Sequence, residues 1–184
     1  MHSPSKLRRL ALLMALGLVH GALPTSPMPA HAQSIAALPP AVIEMRSAIL
    51  EAVQSGRLED LKVAVDLNEL KPELDAMPVP DPITFWRSRS ADGAGRDILA
   101  VLGRLLDGPY AVEPLGRDPE NPRLFVWPAF ADKPLHALTG AETAFLQTLE
   151  SPDKIATMTQ AGRYSGWRVV IGADGVWHIF RRYD

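Results

Sequence analysis

Arginine is the residue in this chain best suited to recognising a ligand, and its spacing suggests where. Arg163, Arg168, Arg181 and Arg182 all fall within residues 163–184, and Arg87 and Arg89 alternate with Ser88 and Ser90 directly after Trp86. A guanidinium fork matches the geometry of carboxylate and phosphate oxygens, so either group could hold an anion. The 87–90 run reads in two ways, as an anion-binding loop or as a solvated connection. In the terminal segment, Arg168 and Arg182 are expected to share a strand face with His178. The competing reading there is internal, with the arginines paired to carboxylates such as Glu44, Glu51 or Glu59. The candidate binding residues are therefore Arg168, Arg182, His178, Trp86, Arg87 and Arg89.

Other chemistries find little support. The sequence has no cysteine, which removes thiol nucleophiles, thiolate metal sites and disulfides. No HExxH, GxSxG or glycine-rich phosphate loop occurs, so no cofactor or metal is implied. Beyond residue 32 only His136 and His178 remain. Each reads as a structural residue, one in a loop and one in a strand. Carboxylate neighbours such as Glu59–Asp60 and Asp118/Glu120 sit in helix-surface or turn contexts, so no catalytic residue is assigned. A hydrolase would need acids facing each other across a cleft.

The first 32 residues have the plan of a secretory signal peptide. Lys6, Arg8 and Arg9 precede an apolar run from Leu10 to Leu23, and Ala30-His31-Ala32 then offers small residues to a signal peptidase. Cleavage would make Gln33 the first mature residue, in a periplasmic protein without a transmembrane anchor, since no other apolar run approaches the ~20 residues a span requires. The mature part carries 16 basic and 21 acidic residues, a net charge of −5. That balance argues against nucleic acid as a partner. The charge is uneven: residues 33–162 carry −7, and 163–184 carry +2.

The elements that must position these residues follow from periodicity. Val42, Met45, Ile49, Ala52 and Val53 share one helical face behind Pro39-Pro40, and Gly56 closes that helix. A shorter helix with Leu58, Leu61 and Val65 inward completes a helical hairpin. Residues 71–95, with Pro72, Pro78, Pro80 and Pro82, are expected to be irregular, with Ile83–Trp86 as an apolar knot. Asp97–Asp107 carries a broad apolar stripe and is helical. Tyr110–Glu113 and Arg123–Trp127 read as strands around a turn. Thr139-Gly-Ala-Glu142 is a capping box, and Ser151-Pro152-Asp153 opens a further helix.

The chain ends in YSGWRVVIGADGVWHIFRRY, two β-branched and aromatic runs around Ala-Asp-Gly. This hairpin holds five of the twelve aromatic residues and should anchor the core. A two-residue turn would set Arg168 opposite Arg181, a like-charge pair. A three-residue loop instead pairs Ile171 with Trp177 and Val169 with Ile179, placing Trp167, Val169, Ile171, Trp177 and Ile179 on one face. The fold class is α+β: an N-terminal helical hairpin and further helices packed on a small antiparallel sheet that ends in the hairpin. Residues 33–184 read as one domain, mainly helical over 33–107 and mixed over 108–184.

LFVWPAF (Leu124–Phe130), PLHALT (Pro134–Thr139) and GWRVVIGADGVWHIF (Gly166–Phe180) resemble segments of small uncharacterised exported proteins of Gram-negative bacteria. That resemblance covers roughly the last 90 residues and implies export and fold, with no activity attached. The expected function is a non-catalytic binding or interaction module for an envelope component or protein. The alternative is a periplasmic hydrolase acting on an envelope polymer.

Overall fold

The computed structural model describes residues 38–115 and 123–183. The expected signal peptide and its cleavage residues lie outside them, as does most of the turn expected before Arg123. Proline at the first position and a left-handed Gly56 (φ 69°) bracket helix α1, Pro40–Ser55. It buries Val42, Met45, Ile49 and Ala52, the stripe that the sequence pattern sets out. A 3₁₀ turn at Leu58–Asp60 runs into α2, Leu61–Asp66, and completes the helical hairpin.

The prolines of residues 71–95 do not keep that stretch irregular throughout. Pro82–Arg89 forms a helix, α3. Pro82 occupies the first helical position, where its missing N–H costs nothing, and the Asp81 carboxylate accepts from the amides of Ile83 and Thr84. Proline here starts a helix. The knot is thereby turned into a helical face, and Trp86 is fully buried.

Helix α4, Arg96–Asp107, carries the broadest buried stripe, from Ile98 to Leu106. Gly108, which follows it, has an ordinary negative φ of −86°. Glycine is needed there for space, because a Cβ would come within 2.0 Å of the Phe145 ring. The capping box forms, with the Thr139 hydroxyl accepting from the Glu142 amide at the start of α5, Gly140–Leu149. Helix α6, Pro152–Ala161, ends at a left-handed Gly162.

Four antiparallel strands make one sheet in the order β1-β2-β3-β4: Ala111–Pro114, Arg123–Trp127, Trp167–Gly172 and Trp177–Arg182. With six α-helices among the described residues, the fold is α+β and closes on the β3–β4 hairpin. Buried residues from Leu38 to Phe180 form one hydrophobic core.

The hairpin's register departs from the expected one. Ile171 does pair with Trp177, across a turn in which Gly175 has φ 88°. The next pairs are Val170 with Ile179 and Val169 with Phe180, so the register shifts by one residue at His178, a bulge. One extra residue moves every later side chain by one place. Phe180, not Ile179, joins the buried face, and Arg168 stands opposite Arg181 after all.

The outer edge of β4 is covered. Asn68 caps Trp177 from both sides of its amide: its Nδ2 donates to the Trp177 carbonyl, and its Oδ1 accepts from the Trp177 N–H. Farther on, the Glu73 amide donates to the His178 carbonyl (2.7 Å), and the Phe180 amide donates to the Glu73 carbonyl (3.0 Å). The proline-rich segment is thus a strap that occupies an edge otherwise open to another chain.

Candidate functional site

Three elements bring charged and aromatic side chains to one cavity. Phe85 and Arg89 lie four residues apart on α3, on one helical face, and the Arg89 guanidinium sits 5.2 Å from the Phe85 ring centre. Trp167 and Arg182 are a cross-strand pair of the hairpin. Leu74 and Asp75 come from the strap. Together these six residues line a cavity of about 280 Å³.

Each arginine is held by a carboxylate, in contrasting environments. Arg89 Nη2 lies 3.1 Å from Asp75 Oδ2, with 59 % of the Arg89 side chain exposed. Arg182 Nη2 lies 3.1 Å from Glu150 Oε2, and the Glu150 side chain is only 3 % exposed. Glu150 follows α5 and is the buried charged residue of the described chain. It lies beside Gly166, where a Cβ would come within 2.3 Å of the Tyr164 hydroxyl and 2.6 Å of Glu150 Oε1. Burial, and secondarily the Glu150 charge, pushes the Tyr164 hydroxyl well above its ordinary value. Tyr164 stays protonated and donates to the Trp167 carbonyl (2.8 Å).

The candidate residues do not all meet at this cavity. Arg89 and Arg182 line it. Trp86 belongs to the core beneath it, stacked on Trp177 with ring centres 5.6 Å apart. Arg87 forms an ion pair with Glu59. Ser90 is not free for an anion, since its hydroxyl donates to Asp92 at 2.6 Å. His178, in the bulge, lines a separate groove of about 820 Å³ under the strap. His136 is exposed in a 3₁₀ turn, Leu135–Ala137.

Arg168 lies on the opposite sheet face, because alternation puts it with Val170, Ile179 and Arg181. It donates from Nη1 and Nη2 to Asp132 (3.1 and 2.8 Å) and from Nη2 to the Ala131 carbonyl (3.0 Å). Tyr183 packs between Arg168 and Arg181, its ring centre 4.9 Å and 4.1 Å from their guanidinium carbons. Arg181 pairs with Glu73 of the strap. Glu113 of β1 joins this cluster. Burial, a hydrogen bond with Asp132 and the Asp132 charge all raise its pKa, against an opposing pull from Arg168.

Sequence reasoning missed Phe85, Asp75 and Glu150 as partners of the arginines, and Glu113 and Asp132 as a carboxylate pair. The i, i+4 spacing of Phe85 and Arg89 was a usable signal once a helix was admitted. No local signal marks Glu150 or Asp132. No group of three or more metal-ligating side chains occurs among the described residues. No helix among them is long and apolar enough to cross a membrane. No family model, curated protein or solved structure matches this chain.

Proposed function

We propose that this chain is an exported, non-catalytic binding module of the cell envelope, and that it recognises an anionic ligand at the Arg89–Arg182 cavity. One observation carries the reading: two guanidinium groups and two aromatic rings, drawn from α3 and the hairpin, line the same cavity. Two cations there face one lining carboxylate, Asp75. The Arg89–Asp75 pair is exposed, and such pairs contribute only ~0–1 kcal/mol, so a ligand carboxylate or phosphate can replace Asp75 at little cost. The signal-peptide plan of residues 1–32 and the resemblance to small exported proteins of Gram-negative bacteria favour the periplasm.

A hydrolase of envelope polymers is less well supported. Glu113 and Asp132 are the acids that come together, but they bond to each other and Arg168 occupies both Asp132 oxygens. A glycosidase pair needs room for a sugar or water between its carboxyl groups.

The test is binding of the mature protein to anionic cell-wall and lipid preparations at low and high salt. Binding should appear at low salt, weaken as salt screens it, and fall in an Arg89→Ala variant. No binding at low salt, or binding indifferent to Arg89, overturns the reading.

A further inference from the structure

The cavity's size and walls say more about its ligand than its charge does. At about 280 Å³ it lies just below the ~300–1,000 Å³ typical of small-molecule sites, room for a single ring. Two of its walls are aromatic. Of the four tryptophans, Trp86, Trp127 and Trp177 are fully buried, while Trp167 stays partly open. Phe85, also partly open, supplies the other ring. An inorganic anion gains nothing from such walls, and a neutral ring gains nothing from the charge of the two guanidinium groups.

We infer that this site binds a small ring-bearing acid, its carboxylate or phosphate between Arg89 and Arg182 and its ring against Phe85 and Trp167. This rests on the anion-binding reading above and narrows it. Arg182 is the fixed half of the clamp, because the buried Glu150 carboxylate anchors its guanidinium. Arg89 is the adjustable half, on an exposed side chain that exchanges Asp75 for the ligand. A sugar acid and an aryl acid offer the same chemistry: one flat or apolar ring face and one anionic group.

The experiment follows Trp167 fluorescence of the mature protein, with Trp167→Phe as the control that removes the signal. Glucuronate, benzoate, glucose, benzyl alcohol and inorganic phosphate are titrated in turn. At least one of the two ring acids should bind ten-fold or more tighter than phosphate and than its own neutral counterpart. Glucuronate alone identifies a sugar acid, and benzoate alone an aryl acid. Phe85→Ala should bring the ring acid down to the level of phosphate. Arg89→Ala should weaken both ring acid and phosphate, with Arg89→Lys restoring each only in part because it keeps the charge but lacks the fork. Both altered side chains are partly or largely exposed, and an unchanged melting temperature confirms that the fold is kept. Phosphate binding as tightly as the ring acids overturns this inference and leaves the anion-binding reading standing. Neutral rings binding as tightly as their acids, or no acid or phosphate binding at all, removes both.

Discussion

On one face of the terminal hairpin, Trp167, Phe180 and Trp177 form a run of rings closed by Trp86 from α3. On the other, Arg168 and Arg181 hold Tyr183 between them while Asp132 and Glu73 take up their charge. The two faces belong to the same strands yet are stabilised differently. Burial of rings is non-directional and strong, so the first face contributes most of the stability. Ion pairs at partly exposed positions contribute little each, but they need particular partners in particular places. The charged face therefore fixes where the strap and the Asp132 turn sit more than whether the domain folds.

Trp177→Ala tests that contrast most severely. It removes a fully buried ring that contacts Trp86 and Phe180, at an expected cost of ~3–5 kcal/mol in chemical denaturation. A variant that melts within a few degrees of wild type would show that the rings are not the main support.

Arg182→Ala comes next, and it shows that a charge can matter as much as a ring when its partner is buried. Without Arg182 the buried Glu150 carboxylate is stranded, and breaking such pairs costs ~3–5 kcal/mol, here toward the lower end because Arg182 is partly exposed. Adding Glu150→Gln to that variant should recover much of the loss, measured by the same unfolding curves. If it recovers nothing, the loss comes from the arginine's packing and not from the stranded carboxylate.

A smaller effect is expected from Glu113, and it depends on pH. The folded protein holds the Glu113 proton more tightly than the unfolded chain does. This contribution to stability is complete below the ordinary carboxyl range of about pH 4, and it is lost as pH rises through the higher folded value. Glu113→Gln keeps a hydrogen-bond donor for Asp132 at every pH, so the variant should gain on wild type as pH rises through that window. Parallel stability curves for the two proteins would show that Asp132 and Glu113 do not share a proton.

Glu73→Ala should have the least effect, ~0–1 kcal/mol, since it removes only an ion pair to Arg181 whose Glu73 end is largely exposed. The backbone bonds from Glu73 to His178 and Phe180 remain. Protection of those amides in hydrogen exchange should be unchanged. Loss of protection would mean that the side chains, and not the backbone, hold the strap.

Some of the misreadings have a common cause. The prolines of residues 72–82 read locally as helix breakers, but Pro82 follows an Asp81 able to cap, and in that order proline starts a helix. Local charge repulsion argues against setting Arg168 opposite Arg181, yet the strands pair them. Tyr183 between them, with Asp132 and Glu73 beyond, makes the pair tolerable, and the two carboxylates come from outside the two-strand pattern.

The amino-acid sequence by itself determined the helices α1, α4, α5 and α6, the capping box at Thr139, the four strands and the closing hairpin. Those features depend on period, caps and turn chemistry within a few residues, and such short-range terms are written along the chain. The tertiary structure alone decided the bulge at His178, the strap on β4, and the partners of Arg168, Arg181 and Arg182. Those depend on which residues arrive from 30 or more positions away, as Glu150 reaches Arg182 and Asp132 reaches Arg168. A one-residue shift costs the local pattern almost nothing, yet it exchanges the two faces of a strand, so only long-range packing and pairing can select it.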